Sequence, residues 1–275
     1  MEAFILCFLR IVLYTLGVTV ACGLAVEVCY RLCFMLMGKR AGRLFWFATS
    51  FLGTPVHEGG HALMCLLFAH RIEKIRLFPT RSSGAFVEHS YNKRNPYAVF
   101  GNLWIGLGPI FSGIAIILAV LYWAYPVSLQ AYWAAIGTLL ESNAPTEQLW
   151  DCVGQFLQGL VAEKTRVWWV RLIAFAVLFS TALHVRLSAA DALGMLIGLP
   201  MYAVIAAVTA LVAVLIGQHA VDKVTAWLHH GAWILASLFS LILLFALVQL
   251  ALVALYRLLY AIFYALRGKR MYEGR

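Results

Sequence analysis

Residues 44–69 read LFWFATSFLGTPVHEGGHALMCLLFA. This apolar run is long enough to cross a bilayer core of roughly 30 Å at about 1.5 Å per residue. Its neighbours along the chain have the same character. Of 275 residues, 63% are hydrophobic and only 12% are charged, and the mean hydropathy is +0.86. A soluble domain of this size carries roughly 25% charged residues, so the composition excludes an ordinary soluble enzyme, a disordered tail and a nucleic-acid-binding domain. A transmembrane barrel would show short alternating segments in place of these long apolar runs. The expectation is an all-α polytopic membrane protein with about six transmembrane helices, at about 5–36, 44–69, 98–123, 167–187, 195–216 and 232–266.

The net charge of +9 reads as orientation rather than nucleic-acid affinity. Lys39-Arg40, Lys93-Arg94 and Lys269-Arg270 sit at the ends of apolar runs, where membrane proteins place them. Counting Lys and Arg by loop puts the larger share on the side reached after the second span and predicts both termini in the cytoplasm, although Lys39, Arg40 and Arg43 oppose it. The six cysteines form no CxxC pair and predict no disulfide framework. The first apolar run is too long for a signal peptide and reads as a retained span. No repeat or linker divides residues 1–275, which read as one domain.

Three connections carry information. Residues 72–91 hold two alternating stretches, IEKIRLF and AFVEHSY, around PTRSSG, the pattern of a short β-hairpin. Residues 128–166 are the longest polar stretch. Within them Leu149, Trp150, Val153, Phe156, Leu157 and Leu160 recur at helical spacing, which predicts an amphipathic helix on the outer membrane surface, with partner binding as an alternative. The third connection, 184–194, lies between spans four and five.

The chemistry begins inside the second span, at His57-Glu58-Gly59-Gly60-His61. Residues i and i+4 share a helix face, so both imidazoles can bind one zinc ion. Glu58 projects to one side, within reach of a water that it can deprotonate. Ionisable groups in the middle of a membrane helix are costly and mark function. Thr54 and Pro55 read as an N-cap and first helical residue. Gly59 and Gly60 suit close approach of a neighbouring helix or a substrate backbone.

A zinc site of this kind needs a third protein ligand and an open position. The acids near apolar spans are Glu2, Glu27, Asp191 and Asp222. Asp191 stands where Ser188 can cap a helix and leave Asp191 on its first turn; a first-turn acid favoured by the helix dipole looks the same. His184 is the alternative ligand. Asn102 can hold a substrate carbonyl or cap the third span. His70 reads as interfacial, His89 as a hairpin surface residue and His229-His230 as a solvated loop pair.

The stretch GTPVHEGGHALM, 53–64, resembles the active-site helix of the site-2 protease family of membrane-embedded zinc metalloproteases. The strand pair after it resembles the membrane-associated β-hairpin found there. The family draws its third ligand from a later aspartate, usually in an Asp-Gly motif after an Asn-Pro stretch. Here Asp191 is followed by Ala192-Leu193-Gly194, and Asn102 and Pro109 lie in span three instead. The resemblance is good over about 50–125, weaker over 180–200, and includes no inserted PDZ domain. It implies an intramembrane zinc metalloprotease with a core at about 44–200. Glu58 would be its base, His57, His61 and Asp191 its zinc ligands, and Asn102 a substrate contact. Its partners would be a membrane-protein or peptide substrate and the bilayer, with a regulatory membrane partner left open. Its place would be a prokaryotic cytoplasmic membrane. A catalytically inactive scaffold or transport protein with a structural metal site, or a zinc hydrolase acting on a non-transmembrane substrate, are the alternatives.

Overall fold

The computed structural model describes residues 1–80, 84–142, 144–164 and 166–266. Residues 81–83 of the expected turn, and the basic residues Arg267, Lys269, Arg270 and Arg275, lie outside the described residues. The chain runs through α1 (Glu2–Val12), a π-helical turn (Leu13–Gly17) and α2 (Val18–Leu67). A hairpin follows, β1 (Arg71–Arg76) and β2 (Phe86–Ser90). Then come α3 (Pro96–Ala124), α4 (Pro126–Glu141), α5 (Pro145–Ala162), α6 (Trp168–Ala182), α7 (Ala189–Ile216) and α8 (Gln218–Leu266).

Gly38 divides α2 into two arms. Its φ of 70° lies in the left-handed region that glycine enters without steric cost. The chain turns there between a first apolar segment, Glu2–Gly38, and the arm that carries the motif. The helix then continues through Thr54 and Pro55, with Gly38 as its only residue of non-helical geometry. The expected helix start at Thr54 is therefore corrected: Thr54 is buried and its hydroxyl caps nothing among the described residues.

Four helical segments are long and apolar enough to span a membrane: Glu2–Gly38, Pro96–Ala124, Ala189–Ile216 and Gln218–Leu266. Two of the six expected spans are not among them. The motif arm of α2 is diluted by its polar and glycine residues. Helix α6 has only 15 residues, a rise of about 22 Å, short of a full crossing.

Helix α3 is the centre of the bundle, packed against α2, α6 and α7. Its glycines let these neighbours close in. A Cβ built on Gly60 would lie 2.5 Å from the carbonyl oxygen of Gly108, and one on Gly108 would lie 2.6 Å from that of Gly60. Backbone thus meets backbone where α2 crosses α3, the small-residue packing common between membrane helices.

The stretch 128–166 is more ordered than a polar loop with one surface helix. It forms α4 and α5, packed on each other, with Tyr132, Cys152 and Phe156 fully buried. Both helices start at a proline, Pro126 and Pro145, whose missing N–H is harmless in a first turn. Helix α8 begins at Gln218, well before residue 232, so His229 and His230 lie within it rather than in a loop. His229 accepts a hydrogen bond from Trp233 Nε1 at 3.0 Å. All six cysteines are free.

Candidate metal centre

The site is assembled from α2, α3, the link 183–188 and the first turn of α7. His57 and His61 lie one turn apart on α2, their ring centroids 5.0 Å apart and nearly perpendicular. Each ring is fixed through Nδ1. His61 Nδ1 is 2.7 Å from the carbonyl oxygen of Ile105, and His57 Nδ1 is 2.7 Å from that of His184. Both carbonyls are free for a local reason. Pro109 stands four residues after Ile105 inside α3 and has no N–H to bond back to it. His184 follows the end of α6, where carbonyls have no helical partner.

A carbonyl only accepts, so each Nδ1 carries a proton and each ring turns its Nε2 outward. Both Nε2 atoms face Asp191. Its carboxylate lies 3.1 Å from His61 Nε2 and 3.7 Å from His57 Nε2. The ligand atoms of His57, His61 and Asp191 all lie within 4.8 Å of one another, a cluster that can hold a metal ion.

Asp191 is delivered by a capping box, as the sequence suggests. Ser188 is the N-cap of α7, its Oγ accepting from Asp191 N at 3.2 Å, while Asp191 Oδ2 accepts from Ser188 N at 3.0 Å. His184 is not a member of the cluster. Its own ring meets Ser180 O and Ser50 Oγ, and its backbone carbonyl is what orients His57.

Glu58 is 9% exposed and its carboxylate has no hydrogen-bond partner among the described residues. It opens on a cavity of about 460 Å³ that is also lined by His57, His61, Asp191, Arg186 and the β2 side of the hairpin. The hairpin is antiparallel, pairing Arg71 with Ser90 and Arg76 with Phe86.

Asn102 lines the same cavity but does not cap α3. Asn95 does, accepting from Tyr97 N at 3.1 Å, with Pro96 in the first turn. Asn102 sits two turns further in, buried, and its Nδ2 donates to Ala98 O at 3.3 Å and Val99 O at 3.1 Å.

The contacts of four side chains near the site escape a reading of the sequence alone. His70 is buried rather than interfacial, held by Ala98 O at 2.7 Å and by His89 Nδ1 at 3.0 Å. That contact ties the hairpin to α3. Burial, then the neighbouring His70 and His61, hold the pKa of His89 below its ordinary value. Glu27 and Arg186 pair at 2.6 Å across 159 positions of sequence, a separation at which no local pattern links them.

Taken together, these elements define an integral membrane protein with a half-buried His-His-Asp cluster beside an unpartnered glutamate. Residues 25–144 match the family model described as Peptidase M50B-like, which bears out the resemblance to the site-2 proteases over the motif helix, the hairpin and α3. No curated protein and no solved structure matches the chain.

Proposed function

We propose that the protein is a zinc metalloprotease that hydrolyses peptide bonds of membrane-associated substrates, with His57, His61 and Asp191 as the metal ligands and Glu58 as the general base. The observation that carries this reading is the orientation of the cluster. Two Nε2 atoms and a carboxylate converge at 3.1 and 3.7 Å, an arrangement of three ligand atoms that a metal cation shared among them satisfies. Two imidazoles and one carboxylate suit zinc, and the carbonyls behind both rings supply the supporting bonds that metal-ligating histidines ordinarily have. Bound zinc acidifies water and polarises a substrate carbonyl.

The chain's own groups do the rest. Glu58 accepts a proton from the attacking water and returns it to the amine that leaves. Its lack of a competing partner keeps it available for this. His61 lies six residues before the end of α2 at Leu67, a rise of about 9 Å, so the reaction occurs below the helix end. A substrate helix hides its carbonyls in hydrogen bonds and must unwind first. A strand edge of the hairpin beside the cavity can hold the unwound segment by main-chain pairing. The short α6 has a use in this reading. It ends inside the bundle, so the link after it reaches the depth of the metal.

The test is hydrolysis of an unstructured peptide by purified wild type and Glu58→Gln, together with zinc content. The reading predicts about one zinc per chain in both and cleavage by the wild type alone. Zinc in both without cleavage by either favours a structural metal site in a scaffold or transport protein. Cleavage of soluble peptides with no membrane-protein substrate in comparative membrane proteomics favours a hydrolase acting beside the membrane.

A further inference from the structure

Hydrolysis of a peptide bond places negative charge on the carbonyl oxygen, and a site that stabilises it needs a donor aimed at that oxygen. Several polar side chains that line the cavity are already committed. Asn102 gives its amide hydrogens to Ala98 O and Val99 O. His89 meets His70 through Nδ1. Ser188 and Asp191 hold each other.

Arg186 is different. It is the one Arg or Lys side chain lining the cavity among the described residues. Its Nη1 donates to Glu27 Oε2 at 2.6 Å, and its guanidinium carbon lies 4.0 Å from the ring centroid of Tyr30, a cation–π distance. A guanidinium has five N–H donors, and neither Nε nor Nη2 has a partner among the described residues. Glu27 is itself shared, with Arg31 Nε at 2.7 Å, so it does not neutralise Arg186 alone. A charged pair in the membrane interior is costly to keep. Arg186 nevertheless reaches the cavity, while Glu27, which holds it, is not among the lining residues. Position along the chain points the same way. His184 orients His57 and Asp191 joins the cluster, and Arg186 stands on the short link between them.

We propose that Arg186 is a catalytic residue that donates hydrogen bonds to the substrate carbonyl oxygen as it becomes an oxyanion, held in place by Glu27 and Tyr30; this rests on the hydrolytic reading above. The water oxygen forms its bond to the carbonyl carbon, the π electron pair moves to the carbonyl oxygen, and the water proton passes to Glu58. The pair then returns, the C–N bond breaks, and the proton goes from Glu58 to the amine nitrogen. Glu27 acts through Arg186 and is a positioning residue.

The experiment compares full-length, zinc-loaded wild type, Arg186→Gln and Arg186→Lys in detergent micelles. Two ligands are titrated. A phosphinic peptide presents a tetrahedral anion in place of the reacting carbonyl. A peptide hydroxamate seats on the metal through its own two oxygens and needs no second donor. Arg186→Gln weakens the phosphinate by about 10–100-fold, the worth of a hydrogen bond to a charged group, and leaves hydroxamate affinity and zinc content unchanged. Arg186→Lys falls between. On an unstructured peptide, kcat of Arg186→Gln drops by about 10²–10³-fold while KM holds. Equal losses for both ligands mean a structural role and overturn the inference, as does unchanged phosphinate affinity. Peptide cleavage lost in Glu58→Gln but kept in Arg186→Gln overturns the inference and leaves the proposed function standing. A wild type that binds neither ligand contradicts the proposed function itself, and Arg186 falls with it.

Discussion

Pro109 decides the orientation of a histidine on another helix. By lacking an N–H it frees the Ile105 carbonyl, and that carbonyl holds His61 at 2.7 Å. Replacing Pro109 by alanine returns an N–H to α3, and Ile105 then bonds within its own helix in competition with His61. Supporting bonds of this type are worth about 10–100-fold in metal affinity. Pro109→Ala should therefore fold and bind zinc more weakly by that factor, as measured by chelator competition. Unchanged affinity would mean that the Ile105 bond does not orient the ring. The same scale explains why Asn102 was open to two readings. Asn95-Pro96 is the cap signature, an Asn followed by a proline in the first turn. Asn102 sits two turns later, where its amide faces its own helix.

At the scale of elements, much of the site was legible because its signals are local. Two histidines four apart define a helix face, alternation marks the hairpin, and Ser188 three residues before Asp191 is a capping box. What escaped the sequence depends on contacts between distant segments. Helices α4 and α5 bury Tyr132 and Phe156 against the bundle, which no hydropathy window distinguishes from a surface helix. Arg186 and Glu27 meet only through the fold. The crossing of α2 over α3 carries its own prediction. A methyl group on Gly60 would stand 2.5 Å from the Gly108 carbonyl oxygen, and main chain cannot step aside as a side chain can. Gly60→Ala should destabilise by about 1–3 kcal/mol and lower zinc content by moving His61. Gly59→Ala, whose Cβ meets nothing within 4 Å, should be tolerated. Thermal unfolding and zinc content of the two variants separate them.

The hairpin's attachment depends on pH through one contact. His70 Nε2 faces the Ala98 carbonyl at 2.7 Å and must donate, so its Nδ1 accepts from His89 Nδ1. His89 has a lowered pKa in the folded protein, caused first by burial and then by His70 and His61. A histidine with a depressed folded pKa contributes stability that is present above its unfolded value of about 6.5 and is lost as pH falls below it. Amide hydrogen exchange in 71–90 should accelerate between about pH 6.5 and 5 relative to that in α3. His89→Phe should remove the acceleration. Equal protection at both pH values would contradict this account.

For the whole molecule, the bilayer explains an exterior that water would not tolerate. Leu193, Leu196, Leu211, Leu215 and Ile216 are exposed along α7, as are Leu252, Leu258 and Leu259 along α8, a lipid-facing surface. Inside that shell the fold gathers His57, Glu58, His61, Asp191 and Arg186 around one cavity. The central claim is that the cluster holds zinc. Metal analysis of the purified wild type and of His57→Ala, His61→Ala and Asp191→Ala tests it most directly. The account predicts about one zinc per chain in the wild type, none in either histidine variant, and a strongly reduced amount in Asp191→Ala. Zinc content unchanged in all three variants would contradict it.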